Sequence, residues 1–334
     1  MAAQPKHADQ PRQPAHSAQP QRLPLPAAQA AQVLTDTSQA MTRWAQRRWA
    51  WWVHRNADVR LPAADAGATG QPDVDAPPVL FSLDGPVARV SLNRPARRNA
   101  LNLACWNALA EIATQLAVDH SVRVVIIGGS QPGTFSAGSD ISEFPHARLG
   151  ADAARRYNEV YDGALAAWSA LPQTVIAHID GFCLGAALEL ALTADLRLAS
   201  DTSRFGIPAV KLGIGISVAD ARRVIDAVGP ARARALLLTG ETIDASRAHE
   251  IGLIDEVHPA ADLPARVDAL TQILLANAPR SMAWMKQVVD FANRHPDQSA
   301  IPFDVLGINV FDTEDTAEGV AAFLNRRSPA FRGA

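Results

Sequence analysis

A single glutamate in an apolar segment is the residue of this sequence best suited to move a proton. Glu189 lies one turn inside a predicted helix, and its neighbours Leu184, Leu188 and Leu190 are apolar. Burial among such side chains raises the pKa of a carboxyl group towards neutrality, where an acid or base works best. The alternative is a surface glutamate on an amphipathic helix, which the apolar neighbours disfavour.

The start of the same helix is suited to bind an anion. The predicted strand before it ends at Ile179, a turn of small residues follows, and the helix begins near Ala186. The first N–H groups of a helix have no acceptor within it, and they lie at the positive end of its dipole. An anionic oxygen is therefore favoured at this point.

A second segment of small residues, 134–144, follows another predicted strand. The small side chains let the backbone turn tightly, which leaves the Ser139 N–H free to point into a cavity. Asp140 is followed three residues later by Glu143, which is also the pattern of a helix-start cap. That pattern offers a purely structural role for both carboxylates.

Alternating strands and helices are predicted to position these segments. A β-branched run at 122–127 is typical of a buried strand, and the Asp84-Gly85 pair predicts a hairpin turn. Strands interleaved with helices, then helices alone, indicate an α/β core with a helical C-terminal region. Strands are predicted at 79–83, 87–92, 122–127, 174–179 and 195–199, and helices at 103–116, 151–171, 186–193 and, beyond Ser217, at about 217–228, 230–239, 261–277, 280–293, 300–311 and 314–325.

The composition excludes several classes of protein. The chain has 334 residues and a formal charge of −3, and 48% of its residues are hydrophobic against 19% charged, so it can bury a large core. Cys105 and Cys183 are too few for a disulfide framework, and no Cys or His spacing indicates a metal site. No apolar run reaches the roughly 18 residues of a membrane-spanning helix, and the start has no signal-peptide pattern. We therefore expect a cytoplasmic protein without a bound metal or a nucleic-acid partner.

A nucleotide-binding loop and a serine-hydrolase site are excluded because their motifs are incomplete or missing. The glycine-rich stretches 128–133 and 213–218 lack the residues that complete a nucleotide-binding loop. No Gly-x-Ser-x-Gly sequence is present, so the nucleophile turn of a serine hydrolase is missing.

The N-terminal part of the chain differs from the rest. Residues 1–32 are rich in Gln, Pro and Ala and are predicted to be disordered, and residues 61–78 have the composition of a linker. Between them, residues 33–60 predict a basic, Trp-rich helix. Such a helix can contact a membrane surface or a partner through residues 41–56. The favoured interpretation is that it covers an apolar patch of its own protein or results from an over-long gene start.

The segments around Ser139 and Ala186 resemble those of the crotonase superfamily, the enoyl-CoA hydratase and isomerase group. The resemblance extends from Val79 to the C-terminus, which divides into a predicted core at 79–260 and a helical region at 261–334. Further motifs fit the family in the same order: Asn-Arg-Pro and Asn-Ala-Leu within 93–101, Phe-Gly-Ile-Pro at 205–208, Lys-Leu-Gly at 211–213, Leu-Thr-Gly at 238–240 and Phe-Leu-Asn-Arg-Arg-Ser-Pro-Ala-Phe at 323–331. Each motif alone is weak, whereas the ordered set is specific.

The resemblance implies a fold, an assembly and a class of substrate. The expected fold is a spiral of ββα units whose C-terminal helices mediate a homotrimer, often doubled to a hexamer. The expected substrate is an acyl-CoA thioester, with no cofactor beyond its coenzyme A moiety. The backbone N–H groups of Ser139 and Ala186 correspond to the donors that hold the thioester oxygen, and Glu189 matches the family's first catalytic glutamate.

Basic residues are expected to meet the coenzyme A phosphates. Arg97 or Arg98 is the first choice, and Arg326 and Arg327 are further candidates, although a solvated surface charge is an alternative for each. The resemblance places the remaining substrate-binding positions at Ala137, Asp140, Ile141 and Gly185.

The sequence departs from the family pattern at Ala209. Hydratases of the family usually have a second glutamate there, which holds the attacking water, so hydration by two carboxylates is in doubt. Ser217, Asp220 and Glu143 are the residues that could reach the position. The usual glycines are also replaced by alanine at 186 and 187, which keeps both N–H groups but narrows the acyl pocket.

Three functions remain open. The first is an enzyme of the enoyl-CoA hydratase/isomerase type, with Glu189 as the sole acid and base. The second is a decarboxylase of a 2-carboxyacyl-CoA of the malonyl type, in which the same N–H groups stabilise the enolate left by CO2. The third is a non-catalytic acyl-CoA-binding scaffold.

Overall fold

The computed structural model of the protein describes residues 76–294 and 310–333. The predicted disordered segment 1–32, the Trp-rich helix 33–60 and most of the linker 61–78 lie outside the described residues. The predicted helix at about 300–311 also lies largely outside them. Among the described residues, no helix is long and apolar enough to cross a membrane.

A six-stranded sheet forms the centre of the described part. Its strands lie in the order β1-β2-β3-β4-β6-β9, and only the β1–β2 pair is antiparallel. The β-branched residues of β3 are buried, as expected for a parallel strand covered on both faces. The strands are β1 (Val79–Asp84), β2 (Val87–Leu92), β3 (Val124–Gly129), β4 (Thr174–Ile179), β6 (Leu196–Ser200) and β9 (Glu256–His258).

A small second sheet lies beside the loop 134–144 and directly before the helix that starts at Ala186. It consists of β5 (Phe182–Leu184), β7 (Arg204–Gly206) and β8 (Ile243–Asp244), in the order β5-β7-β8. None of these strands was predicted, because two or three residues are too few to show a hydrophobic period. Strand β5 directly precedes the helix that contains Glu189.

Helices cover both faces of the large sheet. Helices α1 and α3 pack against each other over a core that contains Trp106 and Trp168, and α7 covers the opposite face through Leu263 and Val267. The helices are α1 (Leu103–Val118), α2 (Phe144–Ala147), α3 (Ala151–Ser169), α4 (Ala186–Ala191), α5 (Val218–Thr239), α6 (Ala245–Glu250), α7 (Leu263–Leu275), α8 (Pro279–Arg294) and α9 (Glu314–Leu324).

The structure confirms the mixed α/β class but corrects the expectation that only helices follow Ser217. Strands β8 and β9 and the short helix α6 lie between 240 and 260, where no element was predicted, and β9 extends the main sheet beside β6. The predicted break near 229 is present, because Gly229 has a φ of 75° immediately before Pro230 in α5. The division at 260 into a core and a C-terminal region stays a prediction.

Gly181 allows the two loops of interest to touch. It lies between β4 and β5 with a φ of 79°, and a Cβ atom added there would lie 1.8 Å from the carbonyl oxygen of Gly133. The Gly133 N–H in turn donates to Asp180 Oδ2 at 2.6 Å. No residue with a side chain fits this crossing without moving the backbone.

We expect Gly181→Ala to destabilise the protein and Gly163→Ala to leave it unchanged or stabilise it. The left-handed backbone at 181 costs a non-glycine residue about 1–3 kcal/mol, and the contact with Gly133 adds to this. Gly163 lies within α3 with open space around its Cα, so alanine gains up to about 1 kcal/mol of helix propensity there. Urea unfolding of both variants measures the difference. Equal midpoints would show that the close approach of Gly181 to Gly133 does not require a glycine.

Candidate functional site

The loop after β3 runs along strand β5. Ser136 pairs with Cys183, with the Ser136 N–H donating to the Phe182 carbonyl at 2.7 Å. Two residues later, Gly138 has a φ of 96°, and a Cβ atom there would lie 2.6 Å from Leu184 O and 3.6 Å from the Ala186 nitrogen. The segment that leads into Ser139 therefore passes directly against the start of α4.

Ser139 N–H and Ala186 N–H have no acceptor in residues 76–294 and 310–333, whereas the N–H groups of Asp140 and Gly185, one next to each of them, do. The Asp140 N–H donates to Leu101 O at 2.8 Å, and the Gly185 N–H donates to Gly206 O at 2.8 Å. Ser139 and Ala186 are both half-buried. The arrangement leaves at least one unengaged donor on each of two touching loops, which is what an anionic oxygen requires.

Glu189 is buried three residues into helix α4. Only 2% of the Glu189 surface is exposed to solvent, and Leu188 and Leu190 on either side are fully buried. The Arg223 Nε–H donates to Oε2 at 3.0 Å, while Oε1 is buried and receives no hydrogen bond from the described residues. The predicted burial is present, so the interpretation as a surface glutamate is wrong.

Burial raises the pKa of Glu189 to about 8. The loss of solvation is the largest cause, and the negative charge of Asp220 raises the value further, while the Arg223 guanidinium lowers it. At neutral pH the carboxyl group is therefore mostly protonated, and it can both give up and take up a proton near that pH.

Arg223 and Asp220 of helix α5 were not predicted to contact Glu189. The Arg223 Nη2–H donates to Asp220 Oδ1 at 2.6 Å, and the Tyr161 hydroxyl donates to the same oxygen at 2.9 Å. The i, i+3 spacing of Asp220 and Arg223 in the sequence could have indicated their pairing with each other. Their approach to Glu189 is a long-range contact that no local pattern shows.

The position of the family's second glutamate has no carboxylate. Ala209 lies in a short 3-10 helix, Pro208–Leu212, and packs against the hydrophobic core. Asp220 and Ser217 bond each other in a capping box at the start of α5. Both oxygens of Glu143 accept from the Leu103 N–H, at 3.0 and 3.2 Å. The three residues considered as replacements are thus engaged in local structure.

The candidate substrate-binding residues surround the Ser139 loop. Arg97 and Arg98 are exposed, and Arg98 O accepts from the Ala137 N–H at 3.0 Å, which places both arginines beside this loop. Asp140 caps the turn Ile141–Glu143, as its spacing predicted, and forms an ion pair with Arg94 at 2.8 Å.

The remaining candidates are distributed between the two loops and the C-terminus. Ile141 is exposed and Gly185 is half-buried with a φ of 53° at the start of α4. Arg327 forms an ion pair with Glu318 through both terminal nitrogens, and Arg326 is exposed. Of these two arginines, the charge of Arg327 is already balanced within the chain.

Asn99 is a site-forming residue whose role the sequence did not indicate. It is buried with a φ of 53°, and its side-chain amide donates to Thr134 O at 3.0 Å and Phe135 O at 3.1 Å. Its own carbonyl accepts from the Ser136 hydroxyl at 2.7 Å. A buried asparagine with three bonds to one segment fixes that segment ahead of Ser139.

Comparisons with known proteins agree on one family. Residues 83–334 match the sequence model described as enoyl-CoA hydratase/isomerase. A probable enoyl-CoA hydratase of Mycobacterium bovis is 35% identical over 256 residues, which covers 76% of this chain and 97% of that protein. The 2,3-dehydroadipyl-CoA hydratase of Escherichia coli is 33% identical over 256 residues, covering 76% and 98%.

Solved structures give the same result for the fold. The crystal structure of an enoyl-CoA hydratase/carnithine racemase from Magnetospirillum magneticum has a TM-score of 0.72 and 35% identity, and the match covers 77% of this chain and 96% of that one. A family member from Hyphomonas neptunium gives a TM-score of 0.73 at 32% identity, covering 77% and 98%. The resemblance found in the sequence, and the crotonase fold that it implied, are confirmed.

We expect Glu189→Gln to gain stability relative to the parent as the pH rises from about 5 to about 8. The unfolded chain loses the Glu189 proton above its ordinary pKa of 4.5, whereas the native state keeps it up to about 8. The parent is therefore destabilised across this window, by a few kcal/mol at most, and glutamine has no proton to lose. Urea unfolding at several pH values measures the effect.

The control for this titration is Glu111→Gln, which changes an exposed glutamate of α1. Its stability should follow that of the parent at every pH. A Glu189→Gln variant that also runs parallel to the parent would show that Glu189 has an ordinary pKa in the native state.

Proposed function

Because the chain belongs to the enoyl-CoA hydratase/isomerase family of acyl-CoA enzymes, we propose that it stabilises a thioester enolate between two backbone N–H groups and moves protons with one carboxyl group. The N–H groups are those of Ser139 and Ala186, and the carboxyl group is that of Glu189. The observation that carries the proposal is the buried Glu189, with one unbonded oxygen, in the helix whose first N–H is unengaged.

The chemistry follows from where negative charge develops. Removal of a proton from a carbon next to the thioester, or from one conjugated to it, moves an electron pair onto the carbonyl oxygen. Two fixed N–H donors stabilise that oxygen, and each is worth roughly 2.7–4 kcal/mol in comparable sites. Glu189 takes the proton from one carbon and returns it to another, so a double-bond shift needs no second group.

A double-bond shift between 3-enoyl-CoA and 2-enoyl-CoA is therefore the reaction that these residues support best. Hydration also requires a group that holds and activates water, and Ala209 cannot do so. The Ser217, Asp220 and Glu143 side chains are engaged elsewhere. Relatives named as hydratases, such as that of Escherichia coli, make hydration the reaction to test beside the shift.

Decarboxylation of a 2-carboxyacyl-CoA is the second candidate, and the protonated state of Glu189 favours it. Cleavage of the bond to the carboxylate releases CO2 and leaves its electron pair in the thioester enolate. The Glu189 proton then goes to the α-carbon, and solvent reprotonates the carboxylate. This sequence needs an acid at neutral pH and no base, which matches a carboxyl pKa of about 8.

We also propose that the chain assembles as a homotrimer, as the resemblance implies, with hexamers as a further step. Helix α9 supports this, because Val320, Phe323 and Leu324 are exposed on it. Met285 and Val289 are exposed one turn apart on α8. Apolar side chains repeated along a helix favour association with another copy.

Product analysis with 3-enoyl-, 2-enoyl- and 2-carboxyacyl-CoA thioesters tests the function. We expect interconversion of the two enoyl thioesters, and Glu189→Gln should lower kcat by about 10²–10⁴-fold, which is the usual effect of a lost general acid or base. Glu111→Gln, an exposed change on α1, should retain parental kcat.

The outcomes of this assay separate the candidates. Release of CO2 without turnover of enoyl thioesters would assign the decarboxylase instead. Tight binding of the thioesters with no turnover would support the non-catalytic scaffold. Equal rates for Glu189→Gln and the parent would remove Glu189 from the mechanism.

Ala186→Pro removes one of the two backbone donors. Ala186 is the first residue of α4, a position where proline fits because its missing N–H has no helical acceptor. We expect kcat to fall by about 10²–10³-fold with little loss of stability. Ala151→Pro is a matched control, since Ala151 also begins a helix and also follows a glycine. If both proline variants keep parental kcat, the Ala186 N–H does not hold the thioester oxygen.

A further inference from the structure

A buried hydrogen-bond network connects the carboxyl group of Glu189 to helix α5 and helix α3. Arg223 donates from Nε to Glu189 Oε2 at 3.0 Å and from Nη2 to Asp220 Oδ1 at 2.6 Å. Tyr161 donates to the same Asp220 oxygen at 2.9 Å. The side chains of Glu189 and Asp220 are 2% and 6% exposed, and that of Arg223 is 17% exposed. Water therefore screens these contacts very little.

We infer that Arg223 is a positioning residue that holds Glu189 by Oε2 and leaves Oε1 as the one oxygen that exchanges a proton with the substrate, and that Asp220 holds Arg223 in this orientation. The inference rests on the proposed function of Glu189. It goes beyond that function because it assigns the reacting oxygen and two residues that do not touch the substrate.

The geometry explains why Arg223 cannot turn away. An arginine can donate from Nε and from a terminal nitrogen in two fixed directions, so one guanidinium can hold two carboxylates at once. Asp220 is itself fixed, because its Oδ2 accepts from the Ser217 N–H at 3.0 Å in the capping box. Both ends of the guanidinium are thus anchored to groups that are held by helix starts.

The charges around Glu189 come from two helices. Helix α5 contributes Asp220 and Arg223, and α3 contributes Tyr161 and Asp162. Strand β5, which also packs against α4, adds only a neutral thiol. Asp220 and Asp162 raise the pKa of Glu189, whereas Arg223 lowers it. The two positioning residues therefore act on the titration of Glu189 with opposite signs.

If Arg223 and Asp220 act on Glu189 as inferred, replacing each of them should shift the pKa of Glu189 in opposite directions. Asp220→Asn removes a negative charge, so the pKa of Glu189 should fall by roughly one pH unit. Arg223→Gln removes a positive charge and a charged hydrogen bond, so the pKa should rise by a similar amount. The infrared carbonyl band of a protonated carboxyl group, identified as the band lost in Glu189→Gln, measures both shifts without a substrate.

Arg223→Lys separates position from charge. Lysine keeps the positive charge but cannot make both directed bonds, so the pKa of Glu189 should stay near that of the parent. A misplaced carboxyl group costs up to about 10²-fold in rate, so we expect kcat to fall by about 10–100-fold while KM changes about twofold or less. This variant also provides the test if Arg223→Gln does not fold.

The controls are Arg222→Gln and Asp226→Asn, which break an ion pair on the same helix. Arg222 and Asp226 meet at 2.7 Å on the exposed side of α5. Neither variant should move the Glu189 band or change kcat. If Asp220→Asn and Arg223→Gln shift the band no more than these controls do, or shift it in the same direction, the inference is wrong.

The infrared titration also separates this inference from the proposed function. If the parent converts no thioester but the band shifts with opposite signs, the coupling of Arg223 and Asp220 to Glu189 holds and the proposed function fails. If the parent is active and Arg223→Lys retains parental kcat, the proposed function holds and the positioning role fails.

Discussion

The burial of one carboxyl group, that of Glu189, is the constraint on which the rest of the site depends. Transfer of an ionised carboxylate out of water costs several kcal/mol unless it is paired or protonated. The protein uses both means, since Arg223 bonds one oxygen and the raised pKa keeps a proton on the group at neutral pH. The same environment that makes this glutamate costly to ionise makes it able to exchange a proton.

The second requirement is a backbone that does not relax. Donors aimed at a developing charge are effective only when they are already in place. Asn99 holds the segment before Ser139 through two carbonyl bonds, and Arg94 fixes Asp140 immediately after it at 2.8 Å. On the other loop, Gly185 is bonded to Gly206 at 2.8 Å. Each of the two unengaged N–H groups therefore lies next to at least one residue that is held by a hydrogen bond or an ion pair.

The sequence was sufficient wherever a feature depends on local pattern. Strand β4 has its predicted bounds, Thr174–Ile179, and helix α1 begins at the predicted Leu103. The burial of Glu189 followed from its apolar neighbours. The spacing of Asp140 and Glu143 offered a helix-start cap as the structural alternative, and Asp140 does cap one turn. In each case a few adjacent residues carry the whole physical cause.

Features that depend on distant contacts were not accessible in this way. Arg223 lies 34 residues from Glu189, and only the folded arrangement of α4 and α5 brings the two together. The short strands β5, β7 and β8 owe their existence to pairing with one another, because none has enough residues for a hydrophobic period. The sequence also does not distinguish Ser217, Asp220 and Glu143 as replacements for the glutamate absent at 209, because their hydrogen bonds depend on the folded arrangement.

The alanine at position 209, where the family has its second glutamate, narrows the proposed chemistry in a definite direction. The double-bond shift, hydration and decarboxylation all pass through an enolate at the thioester, so the two N–H donors of the proposed site would serve each of them equally. The three reactions differ in whether they need a held water molecule, a group that takes a proton, or a group that gives one. Hydration needs a held water molecule, whereas a shift needs only one group that both takes and returns a proton, and decarboxylation needs only one that gives a proton. In the proposed mechanism, a carboxyl group with a pKa of about 8, bonded through one oxygen and unbonded at the other, is suited to the double-bond shift and to decarboxylation. It does not by itself supply the held water that hydration needs.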